Sequence, residues 1–235
     1  LSELGWDPEA HKQFMIRFME GRYPGSFSTG ELYEFNPVTL DARNSGTFAS
    51  MCGLEQALKE KHSYKIELAV KRILLLNSII ISYTGIPLFY SGDEIGQLND
   101  WSYKEVPEEA GDSRWLHRPK MDWEAAQKRE DLTTVQGQIF QGIRRMLEIR
   151  RNCAYFRSDL KSTPVDLDNP AVFGFHKENK MMVLANFSEQ EQWVDADRFS
   201  WFGLPGEMTD MLTGRPVRSY SNKILLGPYE YLWLV

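Results

Sequence analysis

The sequence is poor in the residues that bind metals or form cross-links, with two cysteines and four histidines in 235 residues. Cys52 and Cys153 lie far apart, and neither has metal-ligand spacing to the other or to a histidine. This excludes a recognisable metal site and leaves two thiols suited to a reducing compartment, which points to the cytoplasm. Clustered positive charge is also lacking. With a formal net charge of −6, the chain offers no basic patch for phosphates, so nucleic acid is not an expected partner. Arg144, Arg145, Arg150 and Arg151 form a short run at helical spacing and are read as a solvated helix face. The most apolar stretch, 73–81, is short and flanked by Lys71, Arg72 and Ser82, so no membrane span is expected. No signal peptide is visible at Leu1, and the missing initiator Met leads us to expect sequence upstream. A Gly-rich phosphate cradle, a Ser-His-Asp order and clustered His or Cys ligands are all absent, and no cofactor is expected.

What is present is apolar material for a core, 42% hydrophobic and 13% aromatic, enough for one or two domains. Residues 11–19 read as a short amphipathic helix ended by Gly21. The stretch 23–46 is rich in Pro, Gly, Asn, Ser and Thr with interspersed aromatics, the composition of a functional loop. Apolar positions at 66, 69, 70, 73, 74, 76, 79 and 80 predict a helix over 64–83, buried on more than one face. Gly85 closes it. The continuously apolar run Ile86-Pro87-Leu88-Phe89-Tyr90 then predicts a parallel strand buried on both faces. A second helix is predicted over 133–151, with Ile139, Ile143, Met146, Leu147 and Ile149 on its buried side. Beyond it the pattern changes to period two at 172–175, 181–186 and 229–235, separated by turn signals, and predicts a small antiparallel β-domain.

Three clusters could carry chemistry. Asp93 and Glu94 follow the predicted strand directly. Adjacent strand residues point to opposite sides, so the two cannot form the closely spaced carboxyl pair that retaining glycosidases use; ordering the loop is the alternative role. Asp112-Ser113-Arg114-Trp115, with His117 and Arg118, contains an arginine beside a carboxylate, a pairing that fixes a guanidinium for bidentate recognition. A surface arginine and a structural histidine are the plainer readings. The third cluster, Asn36-Pro37-Val38-Thr39-Leu40-Asp41-Ala42-Arg43, sits in the aromatic loop with Phe27, Tyr33 and Phe35. Aromatic faces beside planar polar groups suit sugars, though an ordinary packed loop has the same composition.

Taken together these residues resemble the second half of an α-amylase-superfamily enzyme, glycoside hydrolase family thirteen. The stretch Gly85-Ile86-Pro87-Leu88-Phe89-Tyr90-Ser91-Gly92-Asp93-Glu94-Ile95-Gly96 is similar to the eighth barrel strand of that superfamily and its exit. Gly25-Ser26-Phe27, Asn36-Pro37, Asp41-Ala42-Arg43, Gln97-Leu98-Asn99-Asp100 and above all Gly111-Asp112-Ser113-Arg114-Trp115-Leu116-His117-Arg118-Pro119 resemble the amylosucrase subgroup. The resemblance implies the final portion of a (β/α)8 TIM barrel (loop seven, helix seven, strand eight, loop eight and helix eight) over residues 1–153, with an inserted loop at 1–62. A C-terminal antiparallel β-sandwich would occupy 154–235. It implies a retaining enzyme acting on α-glucosides, a sucrose-cleaving glucosyltransferase or sucrose hydrolase, with the catalytic carboxylates upstream of Leu1. The isolated chain is then expected to be inactive and to need the missing N-terminal part of the barrel as partner.

Arg114 would pair with an upstream Asp at the floor of the glucose pocket. Arg43 and Asn36, with Glu34 and Phe35, would line the acceptor side, and Asp93, Glu94, Asp112 and His117 would support the site. The sequence departs from the subgroup where Glu34 and Phe35 replace Gln and Tyr, Lys12 replaces Arg, and Leu40 replaces Gly. Rival readings are another family-thirteen α-glucosidase or amylase, and, for the isolated chain, a non-catalytic carbohydrate-binding or structural piece.

Overall fold

Asp7 opens the first helix, α1 (Pro8–Glu20), because its carboxylate accepts the backbone N–H groups of Glu9 and Ala10 at 2.9 and 3.3 Å and satisfies donors that have no helical partner. Pro8 supplies a preset φ at the first position. Gly21, at φ 86°, ends the helix in the left-handed conformation. The computed structural model describes residues 2–157, 159–200 and 207–235. They fall into two compact units. One takes in the residues up to Val70 together with Tyr90–Gly137; the other takes in Lys71–Phe89 and Gln138–Val235.

In the first unit, α1 is followed by a two-stranded hairpin, β1 (Glu31–Tyr33) and β2 (Arg43–Ser45), then by α2 (Phe48–Met51) and α3 (Leu54–Glu60). Polar side chains hold these pieces together. Asn44 donates to the Ile16 carbonyl at 3.0 Å, and Ser28 to that of Met19 at 3.0 Å. Asn99 accepts from the Thr47 backbone at 2.7 Å and donates to the Thr29 carbonyl at 2.9 Å. A loop-rich unit has few ladders to pair its backbone, so side-chain amides take over that task.

The predicted helices are present as α4 (Ser63–Ser82) and α6 (Val135–Asn152), with a short α5 (Trp123–Gln127) between them. Ile139, Ile143 and Met146 of α6 are buried, whereas Leu147 is exposed. Gly142 has a structural reason: a Cβ there would lie 2.5 Å from Leu74, so the small residue lets α6 approach α4 closely. The arginine run is not wholly solvated, which corrects the expectation. Arg150 donates to the carbonyls of Ile81, Tyr83 and Gly85, covering acceptors at and just beyond the end of α4 that no helical N–H reaches.

The predicted strand at 86–90 is not formed. Its residues make no ladder among the described residues, and Ile86 and Leu88 are 82% and 84% exposed. A strand exists only through its neighbours, and the described ladders, all antiparallel, offer this segment none.

The rest of the second unit is the expected antiparallel β-structure. Strands β3 (Ser162–Val165), β4 (Val172–Lys177), β5 (Met181–Asn186), β7 (Met208–Asp210), β8 (Arg215–Val217) and β10 (Tyr231–Leu234) form one sheet, in the order β3-β4-β5-β10-β7-β8. Strands β6 (Gln192–Asp195) and β9 (Lys223–Leu226) form a second, and α7 (Asp197–Ser200) follows β6. Leu184 and Leu232 from the larger sheet share one core with Val194 and Leu226 from the smaller, which is the two-layer arrangement of a sandwich.

Candidate functional site

Asp112 begins the site. Its carboxylate caps the turn Ser113–His117 by accepting the Arg114 backbone N–H at 3.0 Å, and then grips the Arg114 side chain at 2.9 Å from Nε and 2.7 Å from Nη2. Two parallel charge-assisted bonds fix both the position and the plane of the guanidinium. They also pull the Asp112 carboxyl down to about 2, its backbone bond to Arg114 adding to the effect, so it is ionised throughout the neutral range. The other face of Arg114 lies over the Tyr33 ring, 4.8 Å from its centroid. Ser113 ties the turn to β1 through the Leu32 carbonyl at 2.9 Å.

Around this pair the structure gathers Glu34 and Arg43, whose charged groups lie 3.6 Å apart, and Glu34 bears electrostatically on both Tyr33 and Arg114. Of the residues expected at the site, Glu34, Arg43, Asp112 and Arg114 therefore form one cluster. Tyr33, on which Arg114 rests, was expected only as one of the loop's aromatics; its contact with Arg114 joins positions far apart in sequence and leaves no local signal. His117 is held neutral: burial and then the Arg118 charge lower its pKa, and its Nδ1 is buried without a hydrogen-bond partner. Arg118 stacks on Trp115, 5.6 Å from the ring centroid.

Asn36 is occupied elsewhere. Its side chain accepts the N–H groups of Val38 and Thr39 at 2.9 and 3.2 Å, forming a turn of its own. Phe35 is half exposed and, with Gln13, Ile16, Arg17, Leu32 and Leu40, lines a cavity of about 370 Å³. The loop carrying it is strained: Glu34 and Leu40 sit at φ 53° and 57°, a region unfavourable to side chains with a Cβ. Leu40 is kept there by Gln13, which donates to its carbonyl at 3.0 Å, and Asp41 by a 2.6 Å ion pair with Lys12. This explains why glycine suits position 40. Leu40→Gly relieves about 1–2 kcal/mol of left-handed strain and loses about 0.4–1 kcal/mol to the freer unfolded chain. We expect a net stabilisation of about 0.5–1 kcal/mol. Denaturant unfolding checks it, and a destabilised variant would contradict the strain argument.

At the start of the loop that carries Asp112, Gly92 adopts φ 99°, and a Cβ there would lie 2.6 Å from the Gln97 side chain. Glu94 accepts the Gly92 N–H at 2.8 Å, which is the loop-ordering role anticipated for this acidic pair. Asp93 is half-buried, and burial, helped by the nearby Glu94 charge, raises its carboxyl from 3.8 to about 6. The folded chain therefore keeps a proton that the unfolded chain releases, and this contribution to stability is lost as pH rises from about 4 to about 6. Asp93→Asn should gain on the wild type over that window and run parallel to it above. Melting temperatures of both proteins across pH 3.5–7.5 check this; parallel curves throughout would contradict it.

No family model matches the chain. Glucosylglycerate phosphorylase of Escherichia coli (strain K12) is 25% identical over 168 residues, covering 69% of this chain and 28% of that protein. Among solved structures, AmyP in complex with maltotriose superposes with a TM-score of 0.55 at 20% identity, covering 71% of this chain and 34% of AmyP. Ttha1563 from Thermus thermophilus superposes with a TM-score of 0.53 at 16% identity, covering 81% of this chain and 33% of that one. MutB in complex with isomaltulose gives a TM-score of 0.50 at 14% identity over 70% of this chain. The chain thus shares its fold with these proteins while spanning about a third or less of the phosphorylase, AmyP and Ttha1563.

Proposed function

We propose that this chain is the C-terminal part of a retaining, α-glucoside-active enzyme of the α-amylase superfamily that cleaves sucrose and passes the glucosyl unit to an acceptor or to water. The observation that carries the reading is Arg114, gripped in two bonds by Asp112 and laid on Tyr33. A guanidinium held in one plane suits closure of a glucose pocket, because its fork blocks further sugar units and still reaches terminal hydroxyls. The fold likeness to AmyP, captured with maltotriose and maltose, and to MutB, captured with isomaltulose, agrees with a sugar substrate.

The proposed chemistry needs a carboxylate nucleophile and a carboxylic acid on either side of the glycosidic bond. Three carboxylates of this site have other tasks: Asp112 holds Arg114, Glu34 meets Arg43, and Glu94 binds backbone. The reacting pair would therefore come from the part of the enzyme that precedes this chain. The exposed, unpaired segment at 86–90 supports such a partner, since its continuously apolar run is suited to burial between strands. On this reading residues 1–153 complete a barrel and 154–235 form its C-terminal domain, and the two cysteines, which form no disulfide, fit a cytoplasmic enzyme.

The similarity to glucosylglycerate phosphorylase favours a second reading, in which phosphate takes the glucosyl unit. Product analysis of the intact parent decides between them. Sucrose turnover that releases fructose without phosphate supports our reading; turnover confined to phosphate and glucosylglycerate would overturn it.

A further inference from the structure

A second cavity, of about 440 Å³, lies in the β-rich unit and is lined by Lys71, Thr213, Pro228, Glu230, Tyr231 and Leu232 among others. Its volume is in the range of small-molecule sites, about 300–1,000 Å³. From the arrangement of its walls we propose that it is a non-catalytic binding site for a short neutral α-glucan.

The walls are rigid. The turn from β9 to β10 places Tyr229 at φ 53°, a strained conformation for an aromatic residue that persists only where its surroundings fix it. Arg72 does this from one side, with its guanidinium 5.0 Å from the ring centroid and a 3.2 Å bond to the hydroxyl. Glu189 accepts from the same hydroxyl at 3.3 Å, and Tyr229 donates its backbone N–H to Ser188 at 3.1 Å. Glu230 folds back to accept the Gly227 N–H at 2.6 Å. The facing turn from β7 to β8 is anchored by Asp210, which is fully buried and accepts from the backbones of Leu212, Thr213 and Trp233 and from the Thr213 hydroxyl. Walls fixed in this way lose little entropy when a ligand enters.

The chemistry of the lining selects the ligand. Two carboxylates, Asp210 and Glu230, stand against one ammonium, Lys71, which disfavours anions. A purely apolar guest is disfavoured too, because it would leave polar groups desolvated. The Tyr231 hydroxyl makes no hydrogen bond among the described residues, and Glu230 uses only its Oε2 in the Gly227 bond. Leu232, Pro228 and the tyrosine rings supply apolar surface beside these groups. A pyranose offers both halves of the match: C–H faces for rings and aliphatic carbons, and neutral hydroxyls that donate to Glu230 and accept from Tyr231. That the sugar is an α-glucan rests on the activity proposed above.

The test is titration of the 235-residue chain with maltotriose, followed by saturation-transfer difference NMR. The wild type should bind, and Tyr231→Phe and Glu230→Gln should each weaken binding about three- to tenfold, the worth of one hydrogen bond. Both substitutions keep the backbone pairing of β10, and thermal unfolding reports on the fold; should Tyr231→Phe not fold, Glu230→Gln decides. Absence of maltotriose binding by the wild type, or equal affinity in wild type and variants, overturns the proposal. A parent enzyme that fails on sucrose, while maltotriose binding still depends on Tyr231, would refute the activity and leave this site standing.

Discussion

On the function proposed, Arg114→Ala in the intact parent enzyme is expected to lower kcat/KM on sucrose by about a hundredfold or more, the scale of a lost positioning contact. Within this chain Asp112 holds Arg114, and the pair is only partly buried, with side-chain exposures of 46% and 27%. Its loss should therefore cost little stability, because exposed ion pairs are screened by solvent, so activity and folding separate cleanly in this variant. Arg118→Ala is the control, since Arg118 stacks on Trp115 and makes no hydrogen bond in the Asp112 pair. It should lose far less activity. Equal, small losses in kcat/KM for both variants, with unchanged melting temperatures, would place the pocket floor on another residue.

Lys177→Met stabilises the chain by about 1–3 kcal/mol at neutral pH, the scale of an unsatisfied buried polar group. Lys177 is 1% exposed, its Nζ has no hydrogen-bond partner, and the Phe156 ring lies 5.8 Å from it. Burial first, and the Arg150 charge second, lower its amine from 10.5 to about 8. The folded chain gives up this proton at lower pH than the unfolded chain does. Wild-type stability therefore rises with pH from about 8 to about 10.5, and the advantage of the methionine variant shrinks over the same window. Urea unfolding of both proteins at pH 7 and pH 10 reads the two numbers. A variant less stable than wild type at pH 7 would mean that the ammonium has a partner or solvent access not evident in its surroundings.

The long helices were legible because three or four turns of apolar periodicity are hard to mistake: α4 and α6 begin and end within about two residues of the expected bounds. The strands β4, β5 and β10 were legible from alternation and turn residues. The hairpin β1–β2 was not, because three-residue strands joined through a turn built by Asn36 carry no detectable alternation. The segment at 86–90 shows the opposite failure: its composition is that of a buried strand, but pairing partners are not encoded locally. At the site, the grip of Asp112 on Arg114 was legible from a two-residue spacing, whereas Tyr33 beneath it, and the anchoring of Leu32 by Ser113, arise from contacts between distant loops. Arg150 was read as surface because charge and spacing alone do not reveal that the end of α4 needs a donor.

The claim that this chain shapes a sugar pocket without carrying the reacting carboxylates is tested most directly by assaying the 235-residue chain alone on sucrose. Its length and N-terminus would first be verified by intact mass and N-terminal sequencing. Without a nucleophile and an acid, covalent and proton-transfer catalysis are both lost, and the account predicts no release of glucose or fructose above a buffer blank. Sustained sucrose turnover by that chain, abolished by Asp93→Asn or Glu94→Gln, would contradict it and place the chemistry at the acidic pair after Gly92.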